Sequence, residues 1–183
     1  MNKEGNSEYI KVFDFNGQKI KEIDNANELT YFIDIYYDNK LSKIYIITGN
    51  YGYIKSYDYI IKQLYHKYDD NDKCGHSSII IHNYKNIIKL IESFGDGNIR
   101  IWNFHSNLLL NKIKCGDDLY DICLRNDNYL FVSISDKTIK LIDLENELII
   151  KSLTTHDNAV VAMKKIIHPN YEECLISQNW GKS

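Results

Sequence analysis

The stretch SFGDGNIRIWNF, residues 93–104, decides the fold. Its glycines and aspartate admit two readings: a loop that holds an ion or a phosphate, or a hairpin turn that feeds a strand. A calcium loop needs oxygen ligands at alternate positions and a closing glutamate. Ile99 and Ile101 stand where such ligands would be required. A phosphate loop opens a helix, and here a strand follows. The segment Gly95-Asp96-Gly97-Asn98 therefore reads as a tight turn between two strands, with Gly95 and Gly97 supplying backbone angles that other residues resist.

Three further segments repeat the pattern: EYIKVFDF (8–15), GYIKSYDY (52–59) and KTIKLIDL (137–144). Each has Ile, then Lys or Arg, any residue, an aromatic or Ile, and Asp or Asn. The large residues fall at Phe13, Tyr57, Trp102 and Ile142, spaced by 44, 45 and 40 residues. A period of about 40 to 45 is that of a four-stranded propeller blade. A second phase agrees. Lys73-Cys74-Gly75 returns as Lys114-Cys115-Gly116, and TTHDNAVVAM, from residue 154, occupies the same phase. Between these marks lie short runs rich in Ile, Tyr and Leu, separated by Asn- and Asp-rich turns such as Asp38-Asn39 and Asn126-Asp127-Asn128. No segment keeps a helical period beyond two turns. The expected fold is all-β: tandem four-stranded antiparallel blades, with a half blade at 8–23, full blades at 29–69, 77–114 and 118–155, and a half blade at 159–183. An open arc is favoured over a closed ring.

Composition sets bounds on function. The chain has 183 residues, a formal net charge of -3 and no dense cluster of Lys and Arg. Nucleic acid is not expected as a partner, because phosphate neutralisation needs a basic face. No apolar run is long enough to span a membrane, and the N-terminus lacks a signal-peptide core. Cys74, Cys115, Cys123 and Cys174 form no C-x-x-C pair and fit no zinc template. Neither a metal nor a cofactor is expected, and reduced thiols fit a cytoplasmic, or nuclear, protein.

These marks resemble the WD-repeat β-propeller family over nearly the whole chain. The family pattern has Gly-His before the first strand, Asp in the turn before the third strand, and Trp-Asp at that strand's end. The best repeat is similar to it at His76, Ser93, Asp96 and Trp102, which the resemblance makes a structural hydrogen-bonded chain. Asp136 repeats the turn Asp, and His156 keeps the His without its Gly. The other repeats depart from the pattern: Asp117 follows Gly116, and Tyr51 stands at the Asp position. The resemblance reads these groups as structural, against a hydrolase triad.

The resemblance implies a non-catalytic scaffold or adaptor whose loops bind peptides or proteins. The alternatives are a regulatory propeller within a longer signalling protein, such as a kinase, and a propeller hydrolase. The hydrolase reading wants clustered carboxylates and histidines that the sequence does not offer. Contact positions are expected in the loop before the turn Asp, at Asn50, Gly95, Ser135 and above all Trp180. Others are expected at the start of the first strand: Ser78, Asp118, Leu119 and Asn158. An array that begins and stops inside blades is expected to be a fragment, or to be completed by missing blades or by self-association.

Overall fold

The computed structural model describes residues 9–24, 29–154 and 156–181. Glu8, Thr155, Lys182 and Ser183, each within a segment expected above to be blade, lie outside them. All regular structure in the described residues is β. The chain forms two compact units, Met1–Lys73 and Cys74–Ser183.

In the first unit, β1 (Tyr9–Phe13) and β2 (Lys19–Asp24) form a two-stranded antiparallel sheet. Four more strands, β3 (Phe32–Asp38), β4 (Lys43–Asn50), β5 (Tyr53–Asp58) and β6 (Gln63–Tyr68), form an antiparallel sheet in chain order. Ile10 and Ile23 of the smaller sheet pack on Ile46 and Tyr57 of the larger.

The second unit repeats the arrangement. One four-stranded sheet holds β7 (His76–Tyr84), β8 (Ile87–Phe94), β9 (Asn98–Asn103) and β10 (Leu109–Lys114). The next holds β11 (Leu119–Leu124), β12 (Tyr129–Ile134), β13 (Ile139–Asp143) and β14 (Leu148–Leu153). A hairpin of β15 (Val160–His168) and β16 (Glu172–Asn179) follows. First strands lie beside first strands: β11 meets β7 and β8 on one side and β15 on the other. Ile91, Ile99 and Ile101 of one sheet interlock with Leu130, Val132 and Ile142 of the next. Ile139 of that sheet packs on Val160 and Met163 of the hairpin. The described residues thus form three four-stranded and two two-stranded blade-like antiparallel sheets, in succession along the chain.

The repeated motif has a local physical cause. Its closing Asp or Asn caps the turn between third and fourth strands. Asp14, Asp58, Asn103 and Asp143 each accept backbone N–H bonds from residues two to four positions on, at 2.8–3.2 Å. A short polar side chain replaces a backbone acceptor there. The large residue before it marks a β-bulge in the fourth strand. Phe13, Tyr57, Trp102 and Ile142 pair with Lys19, Leu64, Leu109 and Ile149, and in each case the next residue is extra: Ile20, Tyr65, Leu110 and Ile150.

The quoted stretch is a turn from β8 to β9, closed by a bond from Gly97 N–H to the Phe94 carbonyl at 3.0 Å. Only one of its two glycines meets the expected need. Gly97 has φ +78°, and a Cβ there would fall 1.9 Å from the Gly116 carbonyl oxygen. Gly95 does not take up a left-handed backbone; it lies close to the Cys74 thiol and the Gly75 carbonyl.

Candidate partner-binding surface

The network expected from His76, Ser93, Asp96 and Trp102 is rearranged around Glu92, a residue that the sequence did not mark. In strand β8, Glu92 is buried opposite Arg100. Trp102 Nε1–H donates to Glu92 Oε1 at 2.7 Å. On the other side His76 Nδ1 approaches Oε2 at 2.6 Å, an ion-pair distance without the alignment of a hydrogen bond. The Ser93 hydroxyl turns to the Ser78 carbonyl, at 3.3 Å. Asp96 serves the turn instead: it accepts from Asn98 N–H at 3.0 Å and from Arg100 at 2.8 and 3.3 Å. The fully buried Arg100 guanidinium also lies over the Phe94 ring, 3.8 Å from its centre. Burial pushes the Asp96 carboxyl up, but its bonds to Arg100 and Asn98 outweigh this and hold it below the usual carboxylate range.

Asp136 repeats the turn role, accepting from Thr138 N–H at 3.0 Å. Lys137 takes the left-handed place of Gly97, with φ 75°. His156 Nε2 meets the hydroxyl of Ser177 at 2.8 Å. Ser177, like Glu92, could have been found only by knowing which residues the strands bring opposite each other.

Two of the expected contact residues are interior. Leu119 is 0% exposed and belongs to the core of the second unit. It opens strand β11, paired with Ile134, so its side chain turns inward. Asn50 is 1% exposed; it accepts from the Thr48 hydroxyl and donates to the Leu29 carbonyl, both at 3.1 Å. The reason lies in the hairpin length. Asn50 pairs directly with Tyr53 across a two-residue turn, whereas Gly95-Asp96-Gly97 separates Phe94 from Asn98. Asn50 is therefore the last residue of a strand and not part of a loop.

Three of the remaining expected residues, Gly95, Asp118 and Ser135, share one surface in the second unit. Gly95, Asp96, Lys114, Gly116, Asp117, Asp118 and Ser135 line a shallow hollow of about 480 Å³. Ser135 N–H bonds the Asp118 carbonyl at 2.9 Å, which ties the two loops. Lys114 Nζ donates to the Asp96 carbonyl at 2.6 Å. Of its lining, Asp117 and Asp118 are exposed carboxylates, with Lys114 exposed beside them. Two residues beyond Asp118, Tyr120 packs against Trp180 at a tilt, with ring centres 5.3 Å apart and planes at 58°. Trp180 remains 54% exposed. Its N–H bonds the Ala159 carbonyl at 3.0 Å, and its own carbonyl accepts from Asn158 at 3.2 Å. Ser78 is half-buried in strand β7 opposite Ser93 and acts through its carbonyl.

No helix in the described residues is long and apolar enough to cross a membrane. Comparison with known proteins gives the fold and no more. No family model matches the chain, and no curated protein matches it. A solved structure of a computationally designed protein, Ika8, is similar over 85% of this chain at 20% identity, with a TM-score of 0.67. The match covers 46% of the designed chain, so this chain spans about half the length of that structure.

Proposed function

We propose that this chain is a non-catalytic interaction scaffold of the WD-repeat propeller kind, binding a peptide or protein segment at the Tyr120–Trp180 surface and the adjoining hollow. The observation that carries this reading is Trp180. Its backbone is bonded on both sides and its ring rests on Tyr120, yet half of it faces solvent. A large aromatic held rigid loses little entropy when a partner covers it, and such residues dominate interface energetics. Asp117 and Asp118, exposed three and two residues before Tyr120, favour a segment with one apolar anchor and flanking Lys or Arg.

The test is selection from a displayed peptide library, followed by affinity measurement on Trp180→Ala and Asp117→Lys variants. Enriched peptides are expected to carry an apolar anchor beside basic residues. Trp180→Ala should weaken them by at least about tenfold, of the order seen for interface anchors, with the thermal melt unchanged. Peptides whose binding ignores both substitutions would remove this surface from consideration.

A further inference from the structure

The basic residue of the repeated motif faces a fixed position of the second strand in every four-stranded sheet. Lys55 sits opposite Thr48, Arg100 opposite Glu92 and Lys140 opposite Val132. All three are buried or half-buried there. Lys11 is the same motif residue in β1, and it is exposed. In the described residues β1 pairs with β2 alone and its other edge is open. The β16 strand is its converse, a second strand paired with β15 alone. Trp180 follows β16 as Gly95 follows β8 and Ser135 follows β12, so Ser177 takes the place of Glu92 and Val132.

The faces agree as well as the edges. Ile10 of β1 packs toward Ile46, with Val12 beside it. Ile46 stands directly opposite Ile35, which puts Ile33, Ile35 and Tyr37 on that same side of their sheet. With no further strand beside β1 among the described residues, Tyr31, Ile33, Ile35 and Tyr37 are left 55%, 54%, 65% and 53% exposed. A contiguous apolar stripe of this kind marks an interaction site, unlike scattered single residues. In the β15–β16 hairpin, Met163 and Leu175 are spent on the neighbouring sheet. Ile166, Cys174 and Ile176 lie on the opposite face, with Ile176 exposed.

We propose that β16 of one copy of this chain pairs antiparallel with β1 of a second copy, with Ser177 opposite Lys11. Copies then associate head to tail. The register puts Ile176 opposite Val12 and reproduces the four-stranded sheet found three times within the chain. It also lays the open hairpin face over Ile33, Ile35 and Tyr37. A second copy is the occupant because, among the described residues, the open edge of β1 lacks the second strand that β16 supplies, and the open edge of β16 lacks the third strand that β1 supplies. Such a contact joins two different surfaces, and it closes into a ring or continues as an open assembly according to the rotation it imposes.

The test uses Val12→Cys and Ile176→Cys in separate full-length chains, both in a Cys174→Ser background. Facing residues of an antiparallel pair lie about 4.5–5.5 Å apart, within disulfide reach. Mixed and mildly oxidised, the two variants should give a cross-linked dimer of the 21.5 kDa chain, and neither should do so alone. By light scattering the native chain should show a mass above one copy that rises with concentration. Ile35→Lys should return it to one copy with the melt of the isolated chain unchanged, since Ile35 is solvent-facing there. A native chain that stays single at every concentration, a mixture that gives no cross-link, or an Ile35→Lys variant that still associates would each overturn the proposal.

Discussion

Glu92 shows what a residue can do that its type does not announce. Glutamate in a strand normally faces water, and a buried carboxylate is costly unless it is paired. Here it gathers the indole N–H of Trp102 and the imidazole of His76. The family pattern led to His76 and Trp102, but the acceptor between them comes from the residue before Ser93, and Asp96 is drawn away to Arg100. That exchange depends on which residues the pleat turns inward. Asp96 and Asp58 have a consequence for pH. For both carboxyls burial alone would raise the pKa, and bonds to Arg100 and Asn98, or to Lys43, Ile61 and Ile60, lower it instead. A carboxyl depressed on folding adds stability above its unfolded pKa, about 3.9 for Asp, and loses it as pH falls through the folded value. The melting temperature should therefore decline as pH drops from about 5 toward 2, in the range set by those values. Asp96→Asn and Asp58→Asn should each flatten the decline; parallel curves for all three proteins would contradict the assignment.

Among the elements, the second hairpin of each four-stranded sheet shows how much a turn is read from sequence. The repeat was visible because its determinants are local: an Asx cap after a large residue, and glycine where φ must be positive. Where the turn is shortened by one residue, counting from the motif misplaces Asn50, and only the pairing with Tyr53 puts it inside. Gly97 and Lys137 occupy the same left-handed position in two sheets, and they should answer substitution with opposite signs. Gly97→Ala drives a Cβ into the Gly116 backbone and should cost more than about 1 kcal/mol. Lys137→Gly relieves a conformation that costs an L-residue roughly 1–2 kcal/mol and should raise stability slightly. Urea unfolding of the two variants decides this; equal and small changes would show that the turns do not constrain their sheets.

For the whole molecule, the order of the sheets was legible because each strand announces itself within a few residues. The division into two compact units was not, because it depends on which sheets bury one another. Each unit has buried clusters of its own. Residues 74–183 expressed alone should fold, with a cooperative thermal transition and the Trp102 environment of the full chain in near-ultraviolet dichroism. A fragment without that signal would place the stability of the second unit outside itself. The recurrent bulge has a last consequence. In each four-stranded sheet it falls in the fourth strand, whose far edge is unpaired among the described residues. An extra residue there breaks the even spacing of amide and carbonyl groups and increases the local twist. The rim then makes a poor template for a stray strand from another molecule. Leu110 and Ile150 can thus stay greasy and outward-pointing without seeding fibrils, while orderly strand exchange is left to edges that keep a regular ladder.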